Sequence, residues 1–271
     1  MSPEKAYAME LRHRVVIPLA AALAGLAASF VALRPAAATP TVVIEVPSGH
    51  QLPNSGQPPP EMRLRAIVTR ALDDSVATWS RLMGSRAVEV AAVSVRFVSR
   101  LAPDNCYGLY TGDGPAYCSG NRTVFVGTNF ANGLMSKFGR QGEAGIAFLI
   151  GHEVGHHIQN LNGRFHTLSQ ALYSSPADGP DYVRRFELQA DCLAGVWIHD
   201  SPAWASSDQF RADLIAVLTD IGDDSLLAGQ PEAKVRRVGL HGTAEQRKRW
   251  FLRGALSGDP EACDTFDVPQ P

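Results

Sequence analysis

The chain has no Cys-x-x-Cys pair, no internal repeat and no concentrated basic patch. Its four cysteines, Cys106, Cys118, Cys192 and Cys263, are too scattered for a cysteine-based zinc knuckle. With 25 Lys and Arg against 27 Asp and Glu the formal net charge is −2, so the electrostatic footprint of a nucleic-acid binder is missing. The stretch Arg247-Lys248-Arg249 is short and reads as a solvated helix face. What is present is ordinary for a globular protein, 45% hydrophobic and 19% charged. The first 60 or so residues do not read as core, which leaves about 210, enough for one well-buried domain.

Residues 1–38 read as a basic head and a membrane segment. Val15 to Leu33 is an uncharged apolar run that follows Lys5, Arg12 and Arg14 and is closed by Arg34. Its length is near the ~20 residues that cross a bilayer as a helix, and the basic flank favours an N-in orientation. The run is either a retained single-pass anchor or a signal peptide cleaved near Ala36-Ala37-Ala38. Both readings export the domain, to the cell membrane with the domain extracytoplasmic in the first case and to secretion in the second. Residues 39–60 follow as a linker, Pro-rich from 47 onward. In an exported chain four cysteines fit two disulfides. Cys106 and Cys118 bracket a Gly-, Tyr- and Asp-rich loop, which leaves Cys192 for Cys263; four free thiols are the alternative.

The domain proper, 61–271, opens with an amphipathic helix over Met62–Met83, whose apolar positions are Leu64, Ile67, Val68, Ala71, Leu72, Val76, Trp79 and Leu82. Strands are expected over Val88–Val98 and Arg122–Gly127. A helix over Gly142–Asn160 should end at Asn162-Gly163. A polar connection over Ser169–Pro180 leads to a helix over Asp181–His199, and further helical segments cover 207–221 and 231–256. One helix, then strands, then mostly helices argues for an α+β domain with a small sheet.

The chemistry sits on two of these helices. In Gly-His-Glu-Val-Gly-His-His, 151–157, the side chains of His152 and His156 are four residues apart on one helix face, so both can offer nitrogen to one metal ion. Glu153 can reach a water in the open fourth position of a zinc site. Two core histidines with a surface Glu are the bland alternative. On the next helix Phe186, Ala190, Leu193 and Trp197 form an apolar stripe, while Glu187 and Asp191 share a separate face. Two carboxylates on one face need a cation nearby, and a zinc site supplies one. Glu187 then binds the metal and Asp191 accepts the free N–H of a ligating histidine. Glu-x-x-x-Asp after His-Glu-x-x-His is the gluzincin arrangement. The metzincin frame fails, because Gln159 stands where its glycine is required and Asn162 where its third histidine is.

With these ligands, zinc activates a water and Glu153 serves as general base and then acid. The oxyanion needs further donors. His241 and Arg247, in His-Gly-Thr-Ala-Glu-Gln-Arg, are the candidates, with a local cap and a salt-bridge partner as the alternative roles. His157 is expected to pack or support rather than ligate. Val124–Val126 is the candidate edge for pairing with an extended substrate.

Gly-His-Glu-Val-Gly-His-His-Ile-Gln-Asn-Leu, Glu-Leu-Gln-Ala-Asp-Cys-Leu-Ala-Gly-Val-Trp, Ile-Gly-Asp-Asp, His-Gly-Thr-Ala-Glu-Gln-Arg-x-Arg-Trp-Phe and Cys-Asp-Thr-Phe together resemble the bacterial neutral zinc metallopeptidase family over roughly residues 61–266. The N-terminal region departs from the family pattern. The resemblance implies a zincin-like fold with an active-site helix, an N-terminal membrane segment, an exported catalytic domain and a Zn2+ cofactor. It carries over His152, His156 and Glu187 as ligands and Glu153 as the catalytic residue, and it supports His241 and Arg247. Ile221-Gly222-Asp223-Asp224 is assigned a capping or structural role. The expected activity is hydrolysis of peptide bonds in extracytoplasmic proteins or peptides; a non-catalytic, zinc-stabilised binding protein of the cell envelope is the alternative.

Overall fold

The computed structural model describes residues 41–43, 60–102, 106, 114–204, 208–231, 233–234 and 238–271. The run Val15–Leu33 and nearly all of the Pro-rich stretch lie outside the described residues. Among the described residues no helix is long and apolar enough to cross a membrane.

The chain enters the first long helix, α1 (Pro60–Met83), at a proline, a residue whose fixed φ and missing N–H suit the first helical position. Leu64, Ile67, Val68, Ala71, Leu72, Val76 and Trp79 are buried as the periodicity requires, whereas Leu82 stays 38% exposed. The first expected strand is half helix: Ala87–Ala91 forms the short α2, and only Ser94–Val98 is extended, as β2. β1 (Thr41–Val43) falls inside the segment expected to be linker and pairs parallel to β2. β3 (Ala116–Cys118) and β4 (Thr123–Gly127) complete a four-stranded sheet of order β1-β2-β4-β3. β2 and β4 are parallel, and β3 runs antiparallel to β4. β4 is therefore an interior strand, which corrects the expectation that Val124–Val126 forms an edge for an extended substrate; the outer strand beside it is β3. β4 is buried on both faces. Val124 and Val126 join the main core, and Phe125 packs on Leu101, Cys106 and Cys118 in a small second cluster.

Helices supply the rest: α3 (Thr128–Phe138), α4 (Arg140–Leu161), α5 (Arg164–Ser174), α6 (Gly179–Asp200), α7 (Asp208–Asp220), the single turn α8 (Asp223–Leu226) and α9 (Ala244–Ser257). α5 occupies the first part of the expected polar connection, and the proline that closes that connection, Pro180, already lies in the first turn of α6. The last helix is shorter than its expected segment, because residues 241–243 are a turn that delivers His241 ahead of α9. α4 is the central helix, packed by α1, α3, α6 and α7, and it is buried on nearly every side. α6 and α9 cross at a glycine pair. A Cβ on Gly195 would meet Phe251 O at 2.2 Å, and one on Gly254 would meet Cys192 O at 2.0 Å. Only glycine allows that approach, which sets α9 against the helix carrying Glu187 and Asp191.

Both cysteine pairs form disulfides, Cys106–Cys118 and Cys192–Cys263. The second ties the C-terminal segment to α6.

Candidate metal centre

α4 and α6 meet with Gly155 against Ala190; a Cβ there would lie 3.0 Å from Ala190 O. This close contact brings the His152–His156 face of α4 onto the Glu187–Asp191 face of α6. Glu187 Oε2 lies 3.1 Å from His152 Nε2 and 3.3 Å from His156 Nε2. One ligand atom from each of the three lies within 4.8 Å of the others. Ligands about 2.0–2.1 Å from a tetrahedral ion stand roughly 3.3 Å apart, so the donor set fits zinc.

Charge makes the same case. Glu153, Glu187 and Asp191 gather around the two histidines with the Arg247 guanidinium, a cluster of carboxyls that a divalent cation would offset. Burial pushes Glu187 up, but His156 and His152 outweigh it and hold its carboxyl well below the usual range. Burial pulls the His152 imidazolium down, yet its hydrogen bonds to Asp191 and Glu187 push it up to about 10. Glu153 is 5% exposed, and burial raises its carboxyl despite the neighbouring imidazoles.

The outer nitrogens of both histidines are occupied. His152 Nδ1 donates to Asp191 Oδ1 at 2.8 Å, as expected from the sequence. Arg247 grips Asp191 with Nε and Nη2, each at 2.9 Å, and donates from Nη1 to Ile221 O at 3.1 Å. It is 4% exposed. This corrects the oxyanion assignment for Arg247: every donor end of its fork points at a protein acceptor behind the histidines, so the salt-bridge alternative holds. His156 Nδ1 donates to Gln159 Oε1 at 2.7 Å. His156 also stacks on Phe186, with ring centroids 5.1 Å apart.

A model of the family described as "Putative neutral zinc metallopeptidase" matches residues 13–266. The chain belongs to this family. The match begins at residue 13 and so takes in the N-terminal apolar run, expected to depart from the family, while residues 1–12 lie outside it. Among its relatives, "Uncharacterized protein YpfJ" of Escherichia coli (strain K12) is 38% identical over 208 residues, covering 75% of this chain and 71% of the relative. "Uncharacterized protein Rv2575" of Mycobacterium tuberculosis (strain ATCC 25618 / H37Rv) is 33% identical over 167 residues, 57% of this chain and 56% of the relative. No solved structure matches.

In this member of the zinc metallopeptidase family, His241 stands at the mouth of the centre. It is half exposed, with Nε2 3.8 Å from Glu187 Oε2 and Nδ1 3.9 Å from Asp223 Oδ1. The Ile221–Asp224 segment holds that turn in place. Asp223 Oδ2 accepts the Gly242 N–H at 2.6 Å, and Asp224 Oδ1 accepts the Ala244 N–H at 2.8 Å. Thr243 and Gln246 close a reciprocal capping box over the start of α9. His157 turns away from the centre. Its Nε2 donates to Glu89 O and Val90 O, each at 3.2 Å, and its Nδ1 accepts from Tyr117 Oη at 2.9 Å. Burial pulls it down to about 4, which fits the expected packing role.

Gln159 and Gln189 were not among the expected site residues, whereas the structural role expected for Ile221–Asp224 is met by the bonds of Asp223 and Asp224 to the backbone of Gly242 and Ala244. Gln159 sits one turn after His156 on the ligand face, and a polar side chain at that helical spacing was the available signal.

Proposed function

We propose that this chain is a zinc-dependent, zincin-like endopeptidase acting on proteins or peptides outside the cytoplasm. The observation that carries the reading is the convergence of His152, His156 and Glu187 within 4.8 Å, with the buried carboxyl of Glu153 beside them. His152 and His156 through Nε2, and Glu187 through its carboxylate, would hold the ion. When bound, zinc lowers the pKa of a water and polarises the scissile carbonyl. Glu153 takes the proton of the attacking water and hands it to the leaving amine. Its raised affinity for a proton suits a group that must hold one between the two transfers. His241, on the open side, donates to the oxyanion, while Asp223 faces its other nitrogen. Asp191 and Arg247 keep His152 oriented. Among the described residues β3 has a strand partner on one side only, which suits pairing with an extended peptide. Two disulfides are stable in an oxidising compartment, which supports export, with residues 15–33 as the anchor or leader.

Glu153→Gln tests the assignment. The variant should retain one zinc per chain while cleavage of a proteome-derived peptide mixture falls by about 10²-fold or more. Undiminished cleavage would remove Glu153 from the reaction. Wild-type chain that binds zinc but cuts nothing in the mixture would favour the envelope-binding alternative.

A further inference from the structure

We propose that Gln159 and Gln189 are positioning residues of the metal centre, forming an amide relay that runs from the main-chain carbonyl of Cys263 to His156 and presents His156 Nε2 to the ion. The inference rests on the zinc reading above.

The direction of the relay follows from which atoms can only accept. Gln159 Nε2 lies 2.9 Å from Phe186 O, and a carbonyl oxygen cannot donate. The amide nitrogen must therefore be on that side, and Oε1 must face His156 Nδ1 at 2.7 Å. Nδ1 then carries the proton, and the lone pair sits on Nε2, toward Glu187. Gln189 gives the same answer independently. Its Nε2 donates to Cys263 O at 3.0 Å, so its Oε1 is left to accept from Gln159 Nε2 at 2.9 Å. Both amides are buried, with Gln159 1% and Gln189 6% exposed, so water does not compete for these bonds.

The far end of the relay is held covalently. Cys263, whose carbonyl anchors Gln189, is bridged to Cys192, the residue after Asp191. Asp191, the partner of His152, and Gln189, which turns the partner of His156, thus stand on one disulfide-linked frame. His152 is oriented by a carboxylate and His156 by a neutral amide, which sets the imidazole without adding another buried negative charge.

The test uses full-length chain and zinc titrated against a competing chelator. Gln159→Met keeps the volume and removes the acceptor, and should weaken zinc binding about 10–100-fold. Gln159→Glu restores an acceptor for Nδ1–H and should bind zinc within a few-fold of wild type. Both variants lose the bond to Phe186 O, so both should lose stability in urea, and only the first should lose zinc. Wild-type affinity in Gln159→Met, or equal weakness in Gln159→Glu, overturns the proposal. Should Gln159→Met not fold, the imidazole nitrogen spectrum of zinc-loaded wild type decides: His156 must bind through Nε2, and ligation through Nδ1 overturns the relay. A wild-type chain that takes up no zinc overturns both this inference and the metal reading, which separates the two failures.

Discussion

Replacing Arg247 with Met removes the guanidinium and keeps most of the volume of its stem. The lost group is 4% exposed and makes two bonds of 2.9 Å to Asp191, which is itself 0% exposed. Among the described residues Asp191 would then keep the His152 Nδ1–H as its hydrogen-bond partner. Breaking a buried pair from one side typically costs about 3–5 kcal/mol, because the remaining charge is left uncompensated. In a domain of this size each kcal/mol lowers Tm by roughly 2–4 °C, so a drop of about 6–20 °C is expected. The double variant Asp191→Leu/Arg247→Met removes both charges and should recover most of that loss, since apolar replacement of a buried pair is often near neutral. It should still bind zinc about 10–100-fold more weakly, because His152 has lost its acceptor. Urea unfolding in zinc-free buffer and chelator competition measure the two effects separately. If Arg247→Met stays within about 1 kcal/mol of wild type and loses only turnover, the argument for a supporting role behind His152 is wrong.

Other perturbations follow from the same structure. Opening Cys192–Cys263, with a sequence separation of 71, by double alanine substitution should cost about 4 kcal/mol on the chain-entropy estimate. Opening Cys106–Cys118, with a separation of 12, should cost about 3 kcal/mol, and denaturant midpoints under oxidising conditions that reverse this order would contradict it. Gly254→Ala forces a Cβ to 2.0 Å from Cys192 O and should destabilise by about 1–3 kcal/mol or more, by prising α9 from α6. Gly133→Ala, on an exposed helical position where the Cβ meets nothing within 4 Å, should instead gain about 0.5–1 kcal/mol, with both variants measured by urea unfolding.

Much of the centre was legible because helical periodicity is a local property. The spacing of His152 and His156, and of Glu187 and Asp191, places each pair on one face before any tertiary contact forms. The apolar stripe of α1 and the Asn162-Gly163 stop were readable for the same reason. β1 and the helical turn at Ala87–Ala91 were not. The β-branched run at Val88–Val93 resembles a strand in isolation, and short segments are decided by what they pack against. Arg247 was recognised as important and given the wrong neighbour. The sequence says nothing of which side of a helix another helix will cover, and a guanidinium can serve an open cleft or a buried carboxylate equally well.

The sequence by itself determined the residue types gathered at the centre and the helix that carries each, since these depend on residue identity and spacing within single segments. The tertiary structure decided which atoms meet. The glycine contacts Gly155–Ala190 and Gly195–Gly254 draw α4, α6 and α9 close enough for Glu187 to reach both histidines and for Arg247 to reach Asp191. The orientation of each imidazole then follows from groups that other segments supply or turn: Asp191 of α6 accepts from His152, and Gln159, beside His156 on α4, is turned by Phe186 O and, through Gln189, by Cys263 O. The bonds between segments, Gln159 to Phe186, His152 to Asp191 and Gln189 to Cys263, join residues 27, 39 and 74 positions apart, and only packing brings them within hydrogen-bonding range.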